Sequence, residues 1–364
     1  MKNLTGIERT MRALNFQDTD RIPVVGGLVR RPEFLAEVGG VTVGDFWKNP
    51  RKTAIAAFRK LGADLIVGPI LPNRDSKTGS EIEIPFQSQY RSPEDVVAHI
   101  KKLPPISELR RNFDARRAYK DYLSLRENGQ RDMDDMLWVP VSFGNVVPFE
   151  LSAIFGMENY LLAIALYPEH VRRLFEYYCE GIYRRNIAIA EATVKENLCR
   201  VMLIGQDICD NRGPMVSPEV LDDIYFPFVK KSLSPLKEAG IRIIWHSDGN
   251  IMPIVPQLIN AGVDGFQGFQ ESVGERVDLE KLSRVRTLSG EKVLLMGSIS
   301  TITVLPFGTT EDVRHEVERC IRIAENRGGG FLLASSSSIG PEVPAENIHA
   351  LFNYAVNLRT GRNL

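Results

Sequence analysis

From Val139 onward the chain repeats one unit, a short apolar run followed by a helical stretch. The runs are VPVSF at 139–143, VMLIG at 201–205, IRIIW at 241–245, VDGFQ at 263–267, VLLMG at 293–297 and GFLLA at 330–334. Helical patterns fill 157–196, 218–239, 251–261, 278–289 and 310–326 between them. Two earlier runs, Ile22–Val25 and Ala63–Val67, bring the β units to eight. Strands that are apolar throughout, instead of alternating, are buried on both faces, as the strands of parallel sheets are. Alternating β and α units imply a parallel sheet, and eight of them imply closure into a (β/α)8 TIM-type barrel of the α/β class. An open, doubly wound sheet is the alternative. It would place a glycine-rich dinucleotide loop after a strand, and none is present; Gly328-Gly329-Gly330 precedes a strand and reads as a turn.

The first part of the chain fits the same plan less regularly. Thr5-Gly6-Ile7-Glu8 has the spacing of a capping box and opens a helix to about Asn15. Helical pattern returns between Arg51 and Leu61, whereas residues 79–90 alternate as a half-exposed strand or hairpin does. Residues 93–128 are helical and highly charged, and we expect them to form an N-terminal helical cover over the barrel. No low-complexity linker divides residues 1–364, so one domain is expected.

Forty-five basic against 46 acidic residues leave a net charge of −1, too little to draw in nucleic acid or an anionic membrane. No apolar run reaches the roughly 18 residues of a membrane span. The N-terminus lacks the apolar core of a signal peptide. Cys179, Cys199, Cys209 and Cys320 show no C-x-x-C spacing and read as reduced thiols, so a cytoplasmic location is expected.

Directly behind the run at 241–245 stands His246-Ser247-Asp248-Gly249-Asn250. An imidazole and a carboxylate two residues apart at a strand end can hold a metal, move a proton or orient a polar substrate. Taken alone, the same pentapeptide is also an ordinary polar turn. In a barrel, however, residues just past each strand share one rim. That rim collects Gly26-Gly27, Pro69, Asn145, Asp207, His246 with Asp248, Gln267 with Gln270, Ser298 and the run Ser335 to Ser338. His246, Asp248 and Asp207 are the candidate catalytic residues. Asn145, Gln267, Gln270, Ser298 and Ser336 are candidate substrate contacts, although Asp207 can equally be a loop acid and the serines a polar loop. His99, His170, His315 and His349 lie in helical segments and read as surface or capping residues.

Several motifs, in order along nearly the whole chain, resemble those of the uroporphyrinogen decarboxylase superfamily, a family of (α/β)8 barrels. They are Thr5 to Arg9 (T-x-x-E-R), Asp20-Arg21-Ile22-Pro23, Ser217-Pro218-Glu219 with Phe226-Pro227, and His246 to Asn250. Gly308 to Val313, Gly328 to Phe331 and Pro344 to Ile348 complete the series. The resemblance implies one of two activities, because a fold does not choose its chemistry. The decarboxylase branch uses arginines near the first strand and an Asp after the second. Here the arginines are reduced to Arg30 and Arg31, and Pro69 stands where the Asp is expected. Too few guanidinium forks cluster to hold a substrate with eight carboxylates. A decarboxylase of a smaller acid, clamped by Arg30, Arg31 or Arg74, and a non-catalytic binding barrel remain the alternatives.

The other branch comprises corrinoid-dependent methyltransferases. Those acting on thiols carry a zinc site of the form H-x-C with a distant Cys. Here His246 matches, Asp248 replaces the first Cys, and the serine run around Ser336 stands where the second is expected. Oxygen-directed chemistry fits this donor set better. The resemblance therefore implies transfer of a methyl group from a small methoxylated donor to cobalamin on a corrinoid-binding partner protein. Zinc on His246 and Asp248, or a proton, would activate the ether oxygen. A homodimer is implied by the same resemblance.

Overall fold

The computed structural model describes residues 3–71, 89–269 and 277–358. Eight short parallel strands form its centre. They are β1 (Val25–Gly26), β2 (Leu65–Val67), β3 (Leu137–Val139), β4 (Val201–Gly205), β5 (Arg242–His246), β6 (Gly265–Gln267), β7 (Leu294–Ile299) and β8 (Phe331–Ser335). Strands β1 to β3 pair in sequence order, as do β4 to β8, and all pairings are parallel. Both seams are bridged. Val141 pairs with Leu203 between β3 and β4, and Val24 pairs with Leu333 between β1 and β8. The Leu333 N–H donates to Pro23 O at 2.8 Å, and the Ser142 N–H to Leu203 O at 2.9 Å. A ring of eight parallel strands results, which is the expected TIM-type barrel.

The two-sided apolar strands are explained by alternation about this ring. Leu65, Val67, Leu137, Val139, Val201, Leu203, Ile244, Leu294, Met296, Leu332 and Ala334 point inward and fill the barrel as one buried cluster. Their neighbours Ile66, Trp138, Met202, Ile204, Ile243, Trp245, Phe266, Leu295, Phe331 and Leu333 point outward and pack under the helices. The interior is therefore a packed floor beneath the strand ends, not a channel.

The N-terminal end of the barrel is closed by helix Gly6–Leu14, whose Ala13 and Leu14 join the interior cluster. Its capping box forms as expected: Thr5 Oγ1 accepts from the Glu8 N–H and Glu8 reaches back to the Thr5 N–H. A buried ion network fixes this plug. Arg9 bonds Asp64 at 2.5 Å and Asp20 at 2.6 Å, and Arg21 bonds Asp64 at 2.5 Å.

The charged stretch 93–128 divides. Helices Pro93–Lys101 and Ile106–Asn112 pack over the helices Met157–Leu166 and Pro168–Lys195, as a cover does. Helix Ala115–Gln130 instead packs on β3 as well as on Pro168–Lys195 and so belongs to the outer ring. The uninterrupted helix expected over 157–196 breaks at Tyr167, before Pro168, and that over 218–239 breaks at Tyr225, before Pro227. A proline that cannot continue an i−4 ladder starts a new helix comfortably. The strand expected at 139–143 begins two residues earlier, at Leu137. The half-exposed strand or hairpin expected at 79–90 falls largely outside the described residues, as do Arg74 and Gln270. Among the described residues no helix is long and apolar enough to cross a membrane.

Candidate active site at the barrel mouth

His246 is the last residue of β5, level with Gly205 of β4 and Gln267 of β6. Because Ile244 points inward, His246 two residues later does too, and its imidazole lies over the apolar floor at the C-terminal mouth. Gly268 makes room for it. That glycine has φ +88°, and a Cβ there would lie 2.6 Å from His246 Nδ1. On the open side, the half-exposed ring of Phe143 sits 5.7 Å from the imidazole.

Gln267 sets the orientation and tautomer of this ring. Its Nε2 donates to Ser336 O at 3.2 Å, which leaves Oε1 facing His246 Nδ1 at 2.5 Å. An amide oxygen can only accept, so Nδ1 carries a proton, and in the neutral ring Nε2 is the nitrogen with the lone pair.

The turn after β5 is tied to the loop after β4. Asp207 Oδ1 accepts from the Asp248 N–H at 2.7 Å, and the Asn250 N–H donates to Asp210 O at 2.8 Å. Gly249 takes φ +79° within this turn. The pentapeptide is thus a polar turn that also carries the candidate site. The turn brings the Asp248 side chain next to Asp207 and His246. Ligand atoms of these three residues lie within 4.8 Å of one another, the one such His/Cys/Asp/Glu group among the described residues. All three side chains are partly buried, reachable from the mouth without being dispersed in water.

A third acid, Glu150, has no counterpart in the sequence reading. Removal of water around its carboxyl, followed by the negative charge of Asp207, raises its pKa. A hydrogen bond from the Asp207 N–H and the nearby His246 work in the opposite sense. Gln206 holds this loop, its Oε1 accepting from the Phe149 N–H at 2.7 Å and the Glu150 N–H at 3.1 Å. Ten residues separate Glu150 from β3, and their one regular element is the 3-10 turn Phe143–Asn145, so no periodicity pointed to it.

The other expected contacts divide. Ser298 lies in β7 one layer above Met296, buried and on the inward side of the barrel. Ser336 is buried, but its hydroxyl pairs with the N–H and hydroxyl of Thr301 at 3.1 Å, so its part in the site is the carbonyl that holds Gln267. Asn145 is not brought to the mouth. Its Nδ2 faces Met202 Sδ at 3.6 Å, on the outer side of β4, while its carbonyl accepts from Asn186 of the long helix. Strand β3 ends before Phe143, and the 3-10 turn Phe143–Asn145 reverses the side-chain directions that a longer strand would have given. Arg31 Nη1 donates to Val343 O, and the Nε atoms of both Arg30 and Arg31 are buried with no acceptor.

The remaining histidines are not all surface residues. His170 and His315 lie beside Glu169 and Glu311 and are helix-surface groups, as expected. His99, by contrast, is partly buried, bonds Tyr90 Oη at 2.8 Å and packs edge-on against Phe155, whereas His349 is exposed, as expected, with its ring tilted 4.8 Å from Phe34. The four cysteines are free thiols. Burial pushes Cys179 and Cys209 up to about 12, which leaves neither as a thiolate for a soft metal.

The uroporphyrinogen decarboxylase (URO-D) family model matches residues 139–358, more than half of the chain. The chain belongs to this family. Its fold is similar to that of a methyltransferase from Methanosarcina mazei, with a TM-score of 0.61 and 19% identity, covering 97% of this chain and 98% of that one. None of the curated proteins compared matches the chain. Membership in the family supports an enzyme and leaves both its site and its reaction to be argued from the geometry.

Proposed function

We propose that this URO-D family protein is a methyltransferase that takes a methyl group from a small methoxylated donor and passes it to a corrinoid carried by a partner protein. The observation that carries the reading is the Asp207–His246–Asp248 cluster. One imidazole nitrogen and two carboxylates form a donor set suited to zinc and to oxygen substrates. It is not the thiolate-rich set of a thiol-activating site. Separations within 4.8 Å are wider than the roughly 3.4 Å between ligands each about 2 Å from one tetrahedral ion, so these side chains would draw together on binding it. His246 would contribute Nε2, since Nδ1 is engaged by Gln267. A bound zinc would supply Lewis acidity to the ether oxygen of the donor.

The chain's own residues do the rest. Gln267 and Ser336 O hold the imidazole, and the Asp248 N–H holds Asp207. The Phe143 ring offers an apolar face beside His246 for the carbon skeleton of the donor. Glu150, exposed at the mouth with its pKa raised by partial loss of water and by Asp207, is suited to deliver a proton to the leaving alkoxide. The decarboxylase alternative is weaker because Pro69 offers no acid where that branch carries one.

Protein purified without chelator should contain about one equivalent of zinc. With a methoxylated aromatic donor, it should convert cob(I)alamin to methylcobalamin, read by absorbance. Absence of metal together with activity indifferent to chelation would remove the metal role. A survey of methoxylated donors in which no methylcobalamin forms would remove the methyl transfer.

A further inference from the structure

On the face opposite the mouth, a cavity of about 410 Å³ opens where β7 and β8 begin, between helices Leu279–Arg284 and Thr310–Arg327. Its charged lining is Arg284, Arg286, Lys292 and Arg327 against the single acid Glu280. Glu280 already lies 3.7 Å from Arg284, and both of those side chains are largely exposed. Arg286, Lys292 and Arg327 have no carboxylate within ion-pair distance among the described residues.

Arg327 makes this imbalance more than a surface feature. It is only 5% exposed. Its Nη1 donates to Gly330 O at 2.8 Å and its Nη2 to Val293 O, but its Nε has no acceptor. Burial, helped by the charge of Arg286, pulls its pKa down to about 10, and no acid acts in the other direction. Buried cations are normally neutralised by a paired acid. Part of the answer is the end of helix Thr310–Arg327, whose last carbonyl, Arg327 O, accepts from Lys292 Nζ. A helix C-terminus, however, offers only about half a negative charge. Three unmatched cations therefore leave a surplus of more than two positive charges facing one cavity.

We propose that this cavity binds a small phosphate-bearing anion carrying two or more negative charges, with Arg286 and Lys292 as its direct partners and Arg327 supplying buried positive potential. A guanidinium fork and an ammonium beside it are the groups that grip a phosphate. The site is separate from the Asp207–His246–Asp248 cluster, and it stands or falls independently of the methyl-transfer reading.

The test is calorimetric titration of the full-length protein with inorganic pyrophosphate and with inorganic phosphate at fixed ionic strength. The wild type should bind pyrophosphate at one site per chain. Arg286→Gln should weaken that binding at least about tenfold. Arg286→Lys, which keeps the charge and loses the fork, should fall between the two. Arg117→Gln, which removes an equal charge from an 80% exposed position on another helix, should bind as the wild type does. Thermal unfolding without pyrophosphate should be the same for all four proteins, because Arg286 is exposed. The proposal is overturned by no saturable binding of either anion to the wild type, by unchanged binding in Arg286→Gln, or by equal weakening in Arg286→Gln and Arg117→Gln.

Discussion

The Asp207 carboxylate accepts a hydrogen bond from the backbone N–H of Asp248 at 2.7 Å, and this bond joins the loops after β4 and β5. Asp207 is thus an acid of the cluster and a brace for the turn that presents the other acid. Two substitutions separate these parts. Asp207→Asn keeps an oxygen for the Asp248 N–H and loses the charge; Asp207→Ala loses both. Both should lower activity and zinc content. Only the alanine variant should lose folding stability, by about 1–3 kcal/mol, because it strands a partly buried N–H. Denaturant unfolding measured beside metal analysis decides the matter: equal stability loss in both variants would deny the brace.

Gln267 offers a second test, since it touches His246 through Oε1 and Ser336 O through Nε2. Gln267→Leu preserves approximate bulk but releases Nδ1–H, so the ring can rotate and change tautomer. Zinc affinity should fall by about 10–100-fold, the usual effect of removing such a support from a ligating histidine. Gln267→Glu keeps an acceptor for Nδ1–H and should retain most of the affinity. Competition with a chromophoric chelator reads both values, and an unaltered affinity in Gln267→Leu would show that Gln267 does not position the ring.

The barrel was legible in the sequence because two-sided burial leaves a mark that short-range pattern reveals. Leu65-Ile66-Val67 and Ile243-Ile244-Trp245 alternate between the interior and the helix layer, so both kinds of position must be apolar. His246, Asp248 and Asp207 were legible because strand ends fall on one rim, whatever their distance in sequence. Side-chain direction past a strand end was not. Asn145 and Ser336 stand at the expected places, but a 3-10 turn and the Thr301 hydroxyl redirect them. Glu150 reaches Asp207 only through the path of an irregular loop held by Gln206, and loop paths depend on tertiary hydrogen bonds that no local pattern encodes.

The glycine triplet before β8 was readable as a turn, and the structure shows why its last member tolerates nothing larger. Gly330 has φ +70°, and a Cβ there would lie 2.0 Å from the Phe16 ring. Gly330 O is also the acceptor for Arg327 Nη1 and for the Leu295 N–H. Gly330→Ala combines left-handed strain with a clash and should lower stability by about 2–4 kcal/mol. Gly290→Ala is the control: its φ is +81° with nothing within 4 Å of the added Cβ, so it should cost only the strain of about 1 kcal/mol. If denaturant midpoints show equal loss in the two variants, contact with Phe16 is not what fixes Gly330.

The ion network under the barrel predicts how stability falls in acid. Burial pushes the Asp20 carboxyl up. Hydrogen bonds from Arg9 and the Leu4 N–H, together with the Arg9 charge, outweigh that and bring it down to about 2. An unfolded chain restores a pKa near 3.9. The folded state therefore holds its proton less tightly, and the stabilisation is fully present above the unfolded value. It declines as pH falls from about 5 through the folded value near 2. With Asp20 only 12% exposed, its size is on the order of 2 kcal/mol. Asp20→Asn should be less stable than the wild type by about that amount at pH 7, and the gap should close as the pH approaches 2. Urea unfolding of both proteins across this range checks it. A gap that stays constant down to pH 2 would mean that the substitution acts through packing alone and that the Arg9–Asp20 charge pair contributes nothing to the plug.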